Sequence, residues 1–431
     1  MPRARSLARS ATRGANPISR NAAWLSSTVR PASLPAINAW YTCHGRMRSA
    51  RRCATATDSN HGFPTAHRVP IAADAAPFGP EVSDSSMDYA SCGGLWCSVP
   101  MPARTARDVV DATLEVSVVG SFSAIGPRLR RRLDDWGPAT GDLTGQNYVV
   151  TGATSGIGQA AAQMLVNAGA QVIIVGRDAT RTGRAAEALS AASTHDDAPA
   201  VIPVVADMAE LDQVRDAVTA IGTHVDHLDG VLHNAGALSA THTTNSAGVE
   251  TTVAAQVYGP FLMTHLLDDL VRAAPRPARV VTMSSGGMYA AALTVDGLQM
   301  SPERYRGADQ YARAKRAQVT LNEMLAERVD PDGAAIRFHA VHPGWVDTPG
   351  VEASLPRFHR VLSPVLRSPA DGADTAVWLL TDTSSATATT GRFWCDRRPR
   401  GIHRLPSTRR SDTAERRDRL WQVVADAVGI S

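Results

Sequence analysis

The chain has 431 residues, with 44 Lys+Arg against 41 Asp+Glu, a formal net charge of +3, and 44% hydrophobic residues. So small a charge leaves no electrostatic footprint for a nucleic-acid partner, and the aliphatic content suits one large domain or two ordinary ones. No run of about 20 uncharged apolar residues occurs, so no transmembrane helix is expected, and five cysteines without a C-x-x-C pair give no zinc spacing.

Residues 1–100 are dominated by Pro, Ser, Ala and Arg, and their first acidic residue is Asp58. Two readings of this stretch stand. It resembles a transit peptide, or it precedes the true start of translation at Met101 or Met87. The second is favoured because regular patterning begins just after Met101. The first hundred residues are thus expected to be a disordered or mis-assigned N-terminal extension, with the mature protein starting near Met101.

Residues 101–142 form a helical appendage. Val110, Leu114 and Val118 recur every four residues and share one face, Gly126-Pro127 interrupts the pattern, and Arg128, Arg130, Arg131 and Arg132 follow. A solvated helix packed on the domain is expected here. Peripheral contact with a membrane surface is the alternative.

Residues 143–395 alternate strand and helix. Strands are expected at 148–151, 171–175, 201–205, 230–233, 279–283, 336–341 and 391–394. Helices are expected up to Ala168, with Gly169 at the C-terminal cap, and at 179–191, 211–222, 249–273, 309–328 and 370–380. Apolar strands separated by helices define a doubly wound α/β fold, here a parallel seven-stranded sheet covered on both faces. Ligands bind at the carboxyl ends of such strands. Residues 396–431 are a tail with a short helix.

The turn after the first strand reads Thr151-Gly152-Ala153-Thr154-Ser155-Gly156-Ile157-Gly158. Its glycines permit a tight turn and close approach to a pyrophosphate, and the next helix offers free N–H groups at its positive end. Strand two ends in Gly176-Arg177-Asp178. Arg177 matches a ribose 2′-phosphate, whereas Asp178 would favour a 2′-hydroxyl. NADP is therefore expected over NAD.

Tyr311 and Lys315 stand four residues apart, on one helical face. A phenol with a pKa of about 10 is a poor acid–base at neutral pH. A neighbouring ammonium lowers it by stabilising the phenolate. Lys315 is also the only lysine in a chain that otherwise uses arginine.

The glycine pattern, with Asn234-Ala235-Gly236, Ser284-Ser285 and Tyr311-x-x-x-Lys315, resembles the short-chain dehydrogenase/reductase family, whose fold is the Rossmann type. The length from Ser285 to Tyr311 is similar to the retinol-dehydrogenase-like branch. Ser284-Ser285-Gly286-Gly287-Met288, His342-Pro343-Gly344-Trp345 and Gly391-Arg392-Phe393-Trp394 resemble dehydrogenase/reductase member-12 type proteins.

The resemblance implies roles residue by residue. Ser285 holds the substrate oxygen, with Ser284 as runner-up; Tyr311 moves the proton and Lys315 reaches the nicotinamide ribose. Asp207, followed by Met208, contacts adenine. Asn234 braces the sheet while Ala235 and Gly236 line the cofactor cleft. Pro343, Gly344, Val346 and Thr348 meet the nicotinamide carboxamide. Gln256 stands where many relatives carry the asparagine of a water relay, and His342 is expected to be structural.

The expected activity is interconversion of an alcohol and a carbonyl on a small to medium apolar substrate, walled by residues 290–308 and 352–367. The alternatives are a cofactor-binding regulatory or scaffold protein with little turnover, and a peripheral membrane reductase acting on lipid. A cytoplasmic location and a homo-oligomer are expected, with no metal.

Overall fold

The computed structural model describes residues 105–430, so the expected extension at 1–100, with Cys43, Cys53, Cys92 and Cys97, lies outside the described residues. The first described elements are α1 (Ala106–Val116), α2 (Val118–Phe122) and α3 (Ile125–Leu133). Thr105 and Asp108 form a reciprocal capping box at the start of α1. Gly126-Pro127 does not interrupt the appendage. Both residues lie in the first turn of α3, where the missing proline N–H has no intrahelical partner to lose.

The sheet follows: β1 (Asn147–Thr151), α4 (Gly156–Asn167), β2 (Gln171–Gly176), α5 (Ala179–Ala191), β3 (Ile202–Val205), α6 (Leu211–Gly222) and β4 (Gly230–His233). Its strand order is β3-β2-β1-β4-β5-β6-β7-β8, with β5 (Ala278–Met283), β6 (Ile336–Val341), β7 (Arg392–Cys395) and β8 (Arg398–Arg400) completing it. The expected seven parallel strands are present. An eighth, β8, pairs antiparallel with β7 through a turn at Asp396-Arg397. Both turn residues have positive φ, 53° and 52°.

Alternate residues of the buried strands serve opposite faces. Val149 and Ile173 join the apolar cluster under α6, whereas Tyr148, Val150 and Ile174 join the cluster under α4 and α5. Gly169, at φ 86°, ends α4 in the left-handed conformation that a cap requires. The chain turns back from β3 to β4 beside β1, which opens a crevice at the carboxyl ends of β1 and β4.

The long helix expected at 249–273 is broken. It comprises α7 (Thr251–Val253), a π-helical turn at Ala254–Tyr258, α8 (Gly259–Leu266) and α9 (Asp268–Arg272). The widened turn lies beside the crevice, where π-turns concentrate at functional sites. The remaining helices are α10 (Gly307–Val329), α11 (Pro349–Ser354), α12 (Pro356–Leu362), α13 (Pro369–Thr381), α14 (Pro406–Ser411) and α15 (Ala414–Val428). Among the described residues no helix is long and apolar enough to cross a membrane.

The appendage packs on this framework through buried charge. Arg130, fully buried on α3, donates to Asp111 at 2.7 Å and to Asp396 at 2.5 Å. Asp396 also receives Arg367 at 2.6 Å. Three neighbours of Arg130, Arg128, Arg131 and Arg132, are exposed.

Candidate active site

The glycine turn forms a cradle. Gly152 and Gly156 have φ of 68° and 58°, a region that favours glycine. A Cβ on Gly158 would lie 2.5 Å from the Gly152 carbonyl oxygen, so any side chain there would open the turn. Ser155 precedes α4 without a side-chain cap, and the first turn of α4 carries no acid. Its N–H groups thus remain available to an anion. Thr154 packs under Gly176 and Ile157 lies against Gly372.

Asn234 braces this turn. Its Nδ2 donates to the carbonyls of Thr151 at 3.1 Å and Gly152 at 3.2 Å. The Thr151 hydroxyl accepts the N–H groups of Asn234 and Ala235, both at 3.0 Å. Gly236 gives space to the Gln256 side chain.

At the end of β2, Arg177 is exposed, and no ion pair among the described residues engages it. Asp178 caps α5, its Oδ1 accepting the Arg181 N–H at 2.8 Å. Asp207 closes a short turn onto the Ala209 N–H at 2.9 Å. The Met208 side chain is buried in the core.

Across the crevice, Ser284 and Ser285 diverge. The Ser284 hydroxyl is buried and donates to the Lys315 carbonyl at 3.3 Å. The Ser285 hydroxyl instead lies beside the Tyr311 phenol and accepts the Gly287 N–H at 3.2 Å. Lys315 Nζ lies 5.3 Å from the Tyr311 ring centre and donates to the Met283 carbonyl at 2.8 Å.

Burial governs both titrating groups. It pushes the Tyr311 phenol up to about 12, opposed only by the neighbouring Ser285 hydroxyl, and lowers the Lys315 ammonium to about 7. The expected lowering of the phenol by the ammonium is therefore not supplied by protein groups alone. The cause is desolvation, which penalises both charges where the lysine turns to a backbone carbonyl.

Gln256 sits in the π-helical turn and is buried. Its Nε2 donates to the Ala237 carbonyl at 2.8 Å, while its backbone carbonyl accepts Gln318 Nε2 at 2.5 Å. On the other wall, Gly344 has φ 82°, and the Pro343 carbonyl accepts Arg367 Nη1 at 3.1 Å. Val346 is buried, and Thr348 caps α11 with its methyl group against the Gly156 turn.

The substrate side differs from expectation in one respect. Leu293, Val295 and Leu298 of the segment 290–308 belong to the core, and the Leu293 N–H donates to Ser411 at 2.9 Å. α11 is tied to the loop after β4 by a Ser354 hydroxyl bond to the Leu238 carbonyl at 2.8 Å. Arg367, expected at the end of the substrate wall, is instead buried and, with Phe122, which no motif marks, supports the 343–346 loop from behind. No local signal marks them, since their partners lie up to 246 residues away.

A glycine cradle at a helix N-terminus, facing a serine, tyrosine and lysine across the switch point of a parallel sheet, defines a dinucleotide-dependent oxidoreductase class of fold. The sequence model of the short chain dehydrogenase family matches residues 146–357. Dehydrogenase/reductase SDR family member 12 of Bos taurus is 34% identical over 286 residues, covering 66% of this chain and 86% of that one. Retinol dehydrogenase 12 of Homo sapiens is 29% identical over 290 residues, covering 67% and 88%. A solved structure from Mycobacterium paratuberculosis shares the fold, with a TM-score of 0.53 at 23% identity, covering 68% of this chain and 97% of that one. The chain belongs to the short-chain dehydrogenase/reductase family, in its retinol-dehydrogenase-like branch, and so to the nicotinamide-dependent oxidoreductases.

Proposed function

We propose that this protein is an NADP(H)-linked reductase and dehydrogenase of small to medium apolar carbonyls and alcohols. The observation that carries the reading is the Ser285 hydroxyl standing beside the Tyr311 phenol, with the Lys315 ammonium 5.3 Å from the centre of the same ring. In this reading the cradle of Gly152, Thr154, Ser155, Gly156, Ile157 and Gly158 holds the pyrophosphate. Asp207 and the Met208 backbone flank the adenine, and Asn234, Ala235 and Gly236 floor the cleft. Pro343, Gly344, Val346 and Thr348 take the carboxamide. The nicotinamide, when bound, supplies or accepts the hydride.

The chain's own residues handle the oxygen and the proton. Ser285 holds the substrate oxygen beside Tyr311. In reduction the phenol O–H donates its proton to that oxygen as the carbonyl carbon becomes tetrahedral; in oxidation the phenolate takes it back. Lys315 favours the phenolate when charged, and its depressed pKa, about 7, lets it share protons near neutrality. Gln256 acts at a distance by fixing the Ala237 loop.

The NADP preference rests on Arg177, exposed and unengaged, while Asp178 is committed to capping α5. A 2′-phosphate would then meet a guanidinium rather than a free carboxylate; NAD is the alternative. A cytoplasmic enzyme that self-associates fits the same proposal, with peripheral lipid contact through exposed Val116, Val118 and Val119 as a further arm.

One specific observation favours a second reading, a cofactor-binding protein with little turnover. Lys315 and Gln256 both spend their hydrogen bonds on backbone carbonyls. Steady-state NADPH oxidation with a panel of aliphatic and aromatic aldehydes, ketones and steroids separates the two. Turnover above background supports the oxidoreductase; tight NADPH binding with no turnover across the panel supports the second reading.

A further inference from the structure

Ser285 opens the loop after β5, and Pro343-Gly344 opens the loop after β6. Catalytic geometry in the proposed site depends on the spacing between them. One side chain joins them. His342 Nδ1 accepts the Gly286 N–H at 3.1 Å and the Gly344 N–H at 3.2 Å. A nitrogen that accepts two N–H groups carries no proton, so the ring proton is on Nε2. Burial, with Arg367 and Arg404 nearby, keeps this imidazole neutral.

Nε2 has no hydrogen-bond partner among the described residues. The rest of the ring is held by packing. Phe122, from the appendage, meets the imidazole edge-on, with ring centres 4.2 Å apart and planes at 80°. It meets Trp345 the same way at 5.8 Å. A Cβ on Gly286 would lie 2.6 Å from Phe122 Cε2, so glycine is required for this approach. The Phe122 carbonyl in turn accepts the Trp345 N–H at 2.7 Å and Arg367 Nε at 3.1 Å. Thus the appendage touches both loops through one residue.

We propose that His342 is a positioning residue that pins the Ser285 loop to the Pro343-Gly344 loop, and that Phe122 wedges its ring in place. The appendage is then part of the site's support rather than a decoration on the domain. The assignment rests on the oxidoreductase reading for its effect on rate, but the pin itself is a statement about two backbone N–H groups. Loss of the acceptor leaves both part-buried N–H groups without their partner, and the loops move apart as water takes its place.

The test uses the full chain and three variants: His342→Leu, His342→Asn and Phe122→Ala. Asparagine returns an amide oxygen near the Nδ1 position; leucine does not. Hydrogen exchange is followed in peptides spanning 284–288 and 342–346, beside kcat, KM and NADPH titration. His342→Leu and Phe122→Ala should speed exchange in both peptides together. Each should lower kcat by about 10- to 100-fold, as misplacement of a reacting group does, with a smaller change in KM. His342→Asn should restore both.

Unchanged exchange in His342→Leu, or an asparagine variant as impaired as the leucine one, would overturn the proposal. Should His342→Leu fail to fold, Phe122→Ala and His342→Asn still decide it: slow exchange in the former, or fast exchange in the latter, counts against the pin. A wild-type protein without NADPH binding or turnover would instead count against the oxidoreductase reading, and the exchange comparison would still judge His342.

Discussion

Lys315 and Tyr311 share one face of α10, with the ammonium 5.3 Å from the ring centre, yet the lysine donates its hydrogen bond to the Met283 carbonyl. The helix thus brings the pair together while the end of β5 anchors the lysine. Desolvation holds the phenol high, at about 12, and the ammonium low, at about 7. The protein supplies the placement of the phenol and the ammonium.

Arg177 is expected to set cofactor choice. Arg177→Gln should weaken NADPH binding by about 10- to 100-fold, the equivalent of the ~1.5–3 kcal/mol of a charged hydrogen bond. NADH binding should barely change. Fluorescence titration with both cofactors checks this; equal losses would mean that Arg177 does not meet the 2′-phosphate.

Asp396 is expected to be a large stabiliser of the appendage. It is buried between Arg130 and Arg367. Asp396→Asn should cost about 3–5 kcal/mol in urea unfolding, because Arg367 loses its buried counter-charge and Arg130 is left with Asp111 and Glu115. Asparagine tolerates the positive φ of this turn, so the change reports on charge rather than backbone. A loss under about 1 kcal/mol would mean that the cluster is weakly coupled to folding.

Acid should destabilise the fold through its buried histidines. Burial lowers His233 to about 4 and His339 to about 3, from an ordinary 6.5. Between those values and 6.5 the unfolded chain binds more protons than the native one, so stability falls as pH falls. The melting temperature should therefore decline from about pH 6.5 down to about pH 4. His233→Gln should flatten part of that slope. A wild-type melting curve level across this window would contradict the buried neutral assignment.

Much of the sheet was legible because its strands are short apolar runs bounded by glycine and aspartate. β6, α5 and α6 coincide with expectation to the residue. The glycine turn and the Ser285, Tyr311 and Lys315 set were legible because their chemistry needs fixed spacing. The π-turn at Ala254–Tyr258 was not, since a continuous apolar pattern gives no sign of one extra residue per turn. β8 is Arg-Pro-Arg, too polar and short to announce itself. Arg130 looked like one member of a surface cluster, and only Asp396, 266 residues on, shows it to be buried. The choice between Ser284 and Ser285 came from relatives; the geometry gives it a reason, since the Ser284 hydroxyl is turned to the Lys315 carbonyl.

In the proposed reaction Tyr311 moves the proton. Tyr311→Phe keeps the ring and removes only the hydroxyl. Steady-state kinetics with the best substrate of the carbonyl panel, beside NADPH titration, should show turnover reduced by about 10²- to 10⁴-fold, the range of general acid–base catalysis, with NADPH affinity nearly intact. Turnover within about tenfold of wild type would contradict the account, since a general acid–base should contribute more than that.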